Sequence, residues 1–563
     1  MKEKMSNWIK DNEYLFLVIL VLIFILIRLP GTGLPLHQDE YKWPMIVNPA
    51  NASETSIPHP PLSQYIYKTA GQLVGFNENF RFVPLFFGSI NLVLLYFLIR
   101  MMLGRKEALI ASIIWIFSYF SVLASLMVDT DGQIMPFFFL LALLSYYKLY
   151  YFPDDKKYFW AGLLIISLIS GFFIKVSFFL AIAAIIADFL WSKKHMLSKK
   201  LLLKYSLIFI SSIGGLAVLL FLATFVFPFF NLSSSFEYWK HFFVLDRGWF
   251  QTLIQCIKAI LYSSPLLILI PFLGSKNNFS KARLFLFFIF FSFIFYVVLF
   301  DFSIGALDRY LQLLVLPLTV ISTIVISSIF DGDKRRFREF FYLGLLVSFV
   351  LILLQSLPHY VPPLHPKADW IDRVMSLRWN FVYPFSGGSG PLGFYVSFLF
   401  IALSWLITAG LVLLARFKSD YKKLILVLII PIAFTYNFVF IEEYLIGHWN
   451  GHAPKLLYDA ILYIKNNPEI KMVTAYNDNG GNEIQQIGKY RKRLYIDPKF
   501  DDALKVDNLN KYKEHYFVLS IPKLQKDTVY EKYFNSCKII YEETDKKMSA
   551  TIYDCGEAPF LEI

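Results

Sequence analysis

Four short clusters carry residue types that can do chemistry. His37-Gln38-Asp39-Glu40 sets two carboxylates side by side. Such a pair binds a cation, or one member acts as general base while the other orients it. Asp129-Thr130-Asp131-Gly132 places two more acids inside an otherwise apolar stretch, where a charge costs about 2.5–3.5 kcal/mol on insertion scales. In Gly171-Phe172-Phe173-Ile174-Lys175, one ammonium interrupts a wholly apolar run, and an ammonium there suits a phosphate as counter-charge. Asp308-Arg309-Tyr310 offers a guanidinium, whose forked N–H groups match phosphate oxygens. Arg81 adds a further cation close to such a phosphate or, equally, an anchor at the membrane interface. Taken singly, each cluster has a plain alternative: a solvated acid pair, a polar turn ending a helix, a snorkelling lysine, a helix-start Asp with an incidental Arg.

The elements that must position these residues are membrane helices. Of 563 residues, 56% are hydrophobic, 18% aromatic and only 17% charged, with mean hydropathy +0.52; a soluble domain carries about 25% charged residues. Runs such as 15–27, 202–230 and 337–354 approach the roughly 20 residues that cross a bilayer. The pattern predicts about thirteen spans, at 14–29, 81–101, 107–127, 132–151, 158–173, 176–191, 203–229, 252–273, 283–301, 310–330, 338–357, 393–416 and 421–441. The first run lacks a small-residue cleavage site and continues into Arg28-Leu29-Pro30, so it reads as a span and not as a cleaved signal.

The formal net charge of +12 does not point to nucleic acid, because the basic residues sit in short loops between apolar runs. Every second connection is basic: Arg105-Lys106, Lys156-Lys157, Lys193 to Lys200, Lys276 to Arg283, Lys334 to Arg338, and Arg416 to Lys423. One frame satisfies all of them, with these loops and the N-terminus cytoplasmic in a multi-pass plasma-membrane protein. The segments 30–80, 128–131, 174–175, 231–251, 302–309, 358–392 and everything after 442 then emerge on the exoplasmic face. All four clusters fall there. Two carboxylate clusters and two cations on one face suit a substrate with an anionic phosphate leaving group, and an acceptor hydroxyl or amine that must lose a proton.

The tail, 442–563, alternates helix-like stretches with short β-branched or aromatic runs at 472–476, 493–496, 516–519, 538–541 and 550–553. This predicts a small α/β domain with a largely parallel sheet, ending in a hairpin that turns near Asp545-Lys546-Lys547. Cys537 and Cys555 bracket that hairpin; an oxidising exoplasmic face allows a disulfide between them, and two free thiols remain the alternative. Cys256 lies in a helix as a packing residue.

The order of these motifs resembles the GT-C superfamily, in its protein O-mannosyltransferase and lipid A aminoarabinose transferase branch. The resemblance rests on a short N-terminus with one helix, a first exoplasmic loop bearing Asp39-Glu40, and His59-Pro60-Pro61-Leu62, which in the family lies on a juxtamembrane helix. It continues through Arg81, Pro84 and Gly88, the Asp129-Thr130-Asp131-Gly132 turn, Gly171 with Lys175, and Arg309-Tyr310-Leu311 with Pro317. It covers residues 1–330 well and the later helices by topology. It implies a GT-C transmembrane catalytic domain over 1–441, with its first exoplasmic loop at 30–80, and an exoplasmic α/β domain over 442–563. It further implies an inverting transfer of a sugar from a polyprenyl-phosphate donor to a protein, lipid or glycan acceptor. Asp39 would be the catalytic carboxylate with Glu40 beside it; Asp129, Asp131 and His59 would orient sugar or acceptor; Lys175, Arg309, Arg81 and Tyr310 would hold the donor phosphate. His59 stands where relatives often carry lysine, and the tail has no β-trefoil. The abundance of Lys, Ile, Phe and Asn fits a prokaryotic source.

Other readings are a lipid transporter or flippase, which calls for charged or broken helices at the midplane and internal repeats, a non-catalytic sensor or assembly protein, and a GT-C polymerase or ligase of glycans. The sugar, the acceptor and any need for a divalent cation at Asp39 and Glu40 with Asp129 or Asp131 stay open; the general-base route requires no metal.

Overall fold

A backbone that meets no water in hydrocarbon must satisfy its own N–H and C=O groups, so apolar runs of this length become helices. The computed structural model describes residues 12–556 except 37–39, 41, 50–58, 77–79, 194–198, 228–229, 242–247, 301–309, 331–336, 362–366, 386–392, 477–478, 495–508, 510–515 and 520–528. Among the described residues, seven helices are long and apolar enough to cross a membrane, and two bent helix pairs raise that to nine. Four shorter apolar helices, Ile134–Tyr150, Val176–Ser192, Gly214–Val226 and Arg283–Leu299, complete the set. Each of the thirteen expected spans corresponds to one of these. The protein is a polytopic α-helical membrane protein with a C-terminal α/β part.

The chain divides into two compact units: Met1–Leu29 with Trp43–Asp333, and Pro30–Lys42 with Lys334–Ile563. In the first unit, α1 (Glu13–Arg28), the short α2 (Leu62–Val74) and α3 (Phe82–Met102) precede a broken span. That span consists of α4 (Arg105–Phe117) and α5 (Tyr119–Leu126), bent by 65° at Ser118, whose ψ of 125° is extended. The break deprives the Ile116 carbonyl of its helical partner, and the fully buried Arg28 replaces it. Its guanidinium donates to Ile116 O at 3.2 Å, Ser121 Oγ at 3.1 Å and Phe24 O at 2.9 Å. Next come α6 (Ile134–Tyr150), α7 (Lys157–Ile174), α8 (Phe179–Ser192), α9 (Lys199–Val226), α10 (Trp249–Tyr262), α11 (Arg283–Phe293) and α12 (Val315–Phe330).

The second unit holds α13 (Phe337–Gln355), a β1/β2 hairpin (Val382–Phe385, Phe394–Ser397), α14 (Phe398–Phe417) and α15 (Lys422–Leu445). The tail follows with α16 (Ala453–Asn466) and, among the described residues, five strands: β3 (Val473–Tyr476), β4 (Tyr490–Leu494), β5 (Tyr516–Leu519), β6 (Lys538–Asp545) and β7 (Met548–Asp554). Their order is β4-β3-β5-β7-β6. The sheet is mixed and not largely parallel: β3 pairs in parallel with β4 and β5, while β7 runs antiparallel to both β5 and β6. The reason is the tight turn after Asp545, which returns β7 directly alongside β6 and carries it to β5; a parallel neighbour needs a long crossover. The expected hairpin is present, and Cys537 and Cys555 close its base as a disulfide.

Candidate active site

The acidic turn Asp129-Thr130-Asp131-Gly132 occupies the gap between α5 and α6, and the elements around it define it closely. Gly132 lets the turn lie against the end of α5: a Cβ there would sit 2.5 Å from the Ala124 carbonyl oxygen. Asn91, an amide in the middle of apolar α3, donates to the backbone and side-chain oxygens of Gln133, both at 2.8 Å. Gln133 Nε2 donates to Ser125 Oγ at 3.1 Å, and Ser125 Oγ to the Ser121 carbonyl at 2.6 Å. Arg81 is fully buried, and its Nη1 donates at 2.5 Å to the carbonyl of Leu126, the last residue of α5. Helix ends leave such carbonyls without intrahelical partners, so this guanidinium braces the wall of the turn.

Both acids of the turn are buried, Asp129 with 2% and Asp131 with 0% of its surface exposed. Asp129 Oδ1 accepts from Thr130 N at 2.5 Å and from Thr130 Oγ1 at 3.2 Å, and its backbone carbonyl accepts from Tyr67 OH at 3.0 Å. Tyr67 comes from α2, and its ring lies 4.8 Å from that of Trp43, which stacks at 6.4 Å on His59. His59 is therefore linked to the acidic turn through two aromatic rings.

Asp131 meets Lys175. The ammonium lies 2.5 Å from Asp131 Oδ2, with both side chains withdrawn from solvent. Lys175 ends α7 in an extended conformation (φ −156°, ψ 134°) before a 3-10 turn, Val176–Phe178. Gly171 makes this interruption fit, since a Cβ would meet the Phe178 ring at 2.4 Å. The ammonium also sits 4.6 Å from the Tyr310 ring centroid, and Tyr310 stacks at 5.2 Å on Tyr296. An ammonium has three N–H donors, so the carboxylate and the ring leave capacity for an anionic oxygen.

Of the residues expected to form the site, the structure thus joins Asp129, Asp131, Lys175 and Tyr310 directly and links His59 to them. Arg81 meets the turn through the Leu126 carbonyl. Asp39 and Arg309 lie outside the described residues. Glu40 is fully buried within the second unit. Among the described residues, no three His, Cys, Asp or Glu side chains are gathered as a metal site. Trp43, Tyr67, Asn91 and Gln133 join these residues without belonging to any of the four clusters; an amide inside an apolar helix such as Asn91 is the available sequence signal, since polar groups in lipid seek a partner.

Residues 58–226, which include the acidic turn and Lys175, match the family model described as dolichyl-phosphate-mannose-protein mannosyltransferase. ArnT from Cupriavidus metallidurans in the apo state superposes with a TM-score of 0.53 at 12% identity, over 97% of this chain and 99% of that one. The same protein bound to undecaprenyl phosphate gives 0.54 at 13% identity, over 96% and 98%. The chain has the GT-C fold. No curated protein sequence matches it. Within the GT-C frame, its buried acidic turn and lysine lie in the stretch that carries the mannosyltransferase-like family match.

Proposed function

We propose that this GT-C protein is an integral membrane glycosyltransferase that moves a sugar from a polyprenyl-phosphate donor to an acceptor on the exoplasmic face. The observation that carries this reading is the buried Asp131–Lys175 pair. A cation and an acid are held out of water in the turn between α5 and α6, and ionisable groups buried in a membrane segment commonly serve a ligand. The family match over 58–226 and the undecaprenyl phosphate in the ArnT structure support a lipid phosphate as that ligand. The basic loops support a cytoplasmic N-terminus and an exoplasmic tail.

In this reading 1–441 is the catalytic membrane part and 442–563 an exoplasmic domain. The acceptor oxygen or nitrogen attacks the anomeric carbon while the bond from that carbon to the phosphate oxygen breaks. The electron pair leaves with the polyprenyl phosphate, the acceptor proton passes to Asp39, and the anomeric configuration inverts. Glu40 orients Asp39. Lys175 stabilises the charge that grows on the leaving phosphate, assisted by Arg309 and by Tyr310 beside the ammonium. Asp129, Asp131 and His59 orient the sugar or the acceptor, and Arg81 keeps the turn in place from behind.

The test is reconstitution into liposomes with radiolabelled polyprenyl-phosphate mannose and polyprenyl-phosphate aminoarabinose, together with envelope extract as acceptor. Label moving to an acceptor from either donor, with release of polyprenyl phosphate, is the expected result. Retention of all label on lipid with both donors contradicts the reading.

A further inference from the structure

The segment Pro30–Lys42, which contains the acidic pair, belongs to the same compact unit as the tail, although about four hundred residues (42 to 442) separate them in sequence. Leu36 is fully buried and Leu34 nearly so; the Leu34 amide donates locally to the Gly31 carbonyl at 3.3 Å, and the buried Leu36 amide likewise needs an acceptor. The Leu36 amide finds one in the tail: it donates to Glu483 Oε1 at 3.0 Å. Glu483 sits on the one-and-a-half-turn helix Gly481–Gln486 that follows β3. That helix is firmly seated: Ile484 is fully buried, and Gly480 adopts φ +69°, where a Cβ would press on Ile461 of α16 at 2.6 Å.

The tail is in turn fastened to the membrane helices of its unit. Lys547, in the β6/β7 turn, donates from Nζ to Asn450 Oδ1 at 2.5 Å and from its amide to the Asn450 carbonyl at 3.2 Å. Asn450 Nδ2 donates at 2.9 Å to Glu443 Oε1 near the end of α15, which also accepts from Gln355 Nε2 of α13 at 2.8 Å. Gln355 Oε1 accepts from the Ser397 amide at 2.8 Å. Hydrogen bonds thus tie the β6/β7 turn of the tail to two spanning helices, and a separate one ties the tail's helix Gly481–Gln486 to a residue three positions before Asp39.

We propose that Glu483 is the positioning residue for the Asp39–Glu40 segment, and that the tail serves as a bracket holding that segment on the membrane helices. The proposal rests on the reading that the acidic pair does the chemistry. Glu483 acts through Leu36 and touches no reacting atom.

Two full-chain variants test it. Glu483→Ala removes the acceptor, whereas Glu483→Gln keeps a carbonyl oxygen for the Leu36 amide. Hydrogen exchange of peptides spanning 34–40 is expected to speed up about tenfold in Glu483→Ala, as befits one lost hydrogen bond. Peptides of the β6/β7 hairpin should keep their protection, and Glu483→Gln should behave as wild type. Unchanged exchange at 34–40 in Glu483→Ala overturns the tie, whatever the activity. With polyprenyl-phosphate mannose or aminoarabinose, whichever the wild type uses, Glu483→Ala should lower kcat about tenfold or more at unchanged KM, and Glu483→Gln should restore it. Lost protection with unaltered kcat overturns the positioning role. A wild type that transfers neither sugar while the exchange results hold upholds the tie and counts against the proposed reaction instead.

Discussion

Removing Lys175 and Asp131 singly and together separates what the pair does for the fold from what the lysine does for the donor. The Asp131 side chain has 0% of its surface exposed and Lys175 10%, with Nζ 2.5 Å from Oδ2. Lys175→Met therefore strands a carboxylate in a site closed to water, and breaking a buried pair from one side costs about 3–5 kcal/mol. It also forfeits the contact with the Tyr310 ring at 4.6 Å, worth roughly 0.5–2 kcal/mol. Adding Asp131→Asn neutralises the stranded charge, so the double variant should recover most of the stability lost in Lys175→Met. Donor binding should not recover. A hydrogen bond to a charged group contributes about 1.5–3 kcal/mol, which makes undecaprenyl phosphate bind roughly 10- to 100-fold more weakly to both variants that lack the lysine. The assays are thermal unfolding in detergent and titration with undecaprenyl phosphate. A double variant that binds the lipid phosphate as tightly as wild type refutes the assignment of Lys175 to the phosphate.

Other expectations concern the turn and the second unit. Gly132→Ala drives a methyl group against the Ala124 carbonyl at 2.5 Å and should cost about 1–3 kcal/mol; transfer activity falls because Asp131 moves, and an unaltered rate would count against the close fit. Reduction of Cys537–Cys555, 18 residues apart, should weaken the hairpin by about 3 kcal/mol, seen as earlier loss of protection in β6 and β7 on adding reductant. Burial above all, aided by Lys547, lowers the pKa of His359 to about 4. Burial likewise lowers His452 to about 4, with Lys455 reinforcing and Asp545 opposing. Both rings are thus neutral in the folded protein at pH values where the unfolded chain, with an ordinary value near 6.5, takes up protons. Their contribution to stability is complete above about pH 6.5 and is lost as the pH falls towards 4. Unfolding midpoints measured across that window should decline in wild type and decline less in His359→Gln/His452→Gln; identical slopes would refute it.

Hydropathy made the spans legible because lipid imposes one rule on the backbone, and all thirteen stretches became apolar helices or bent helix pairs. It was silent on the bend at Ser118, since a kinked and a straight helix are equally apolar; only the long-range contact from Arg28 shows how the break is satisfied. The acidic turn and Lys175 were legible because charge inside an apolar run is costly and so conspicuous, and the two meet. The bond from Arg81 to the Leu126 carbonyl was not, because sequence alone does not show which acceptors a cation at a helix start reaches. Strand positions in the tail were readable from β-branched runs, but strand direction depends on what connects them. The short turn after Asp545 makes the last pairings antiparallel.

The central claim is that this protein transfers sugar from a lipid phosphate with an aspartate as base, and Asp39→Asn tests it most directly. In liposomes with labelled polyprenyl-phosphate sugar, the variant should bind donor like wild type but lose transfer by about a hundredfold or more, the scale of general-base catalysis. Equal turnover by wild type and Asp39→Asn would contradict the account.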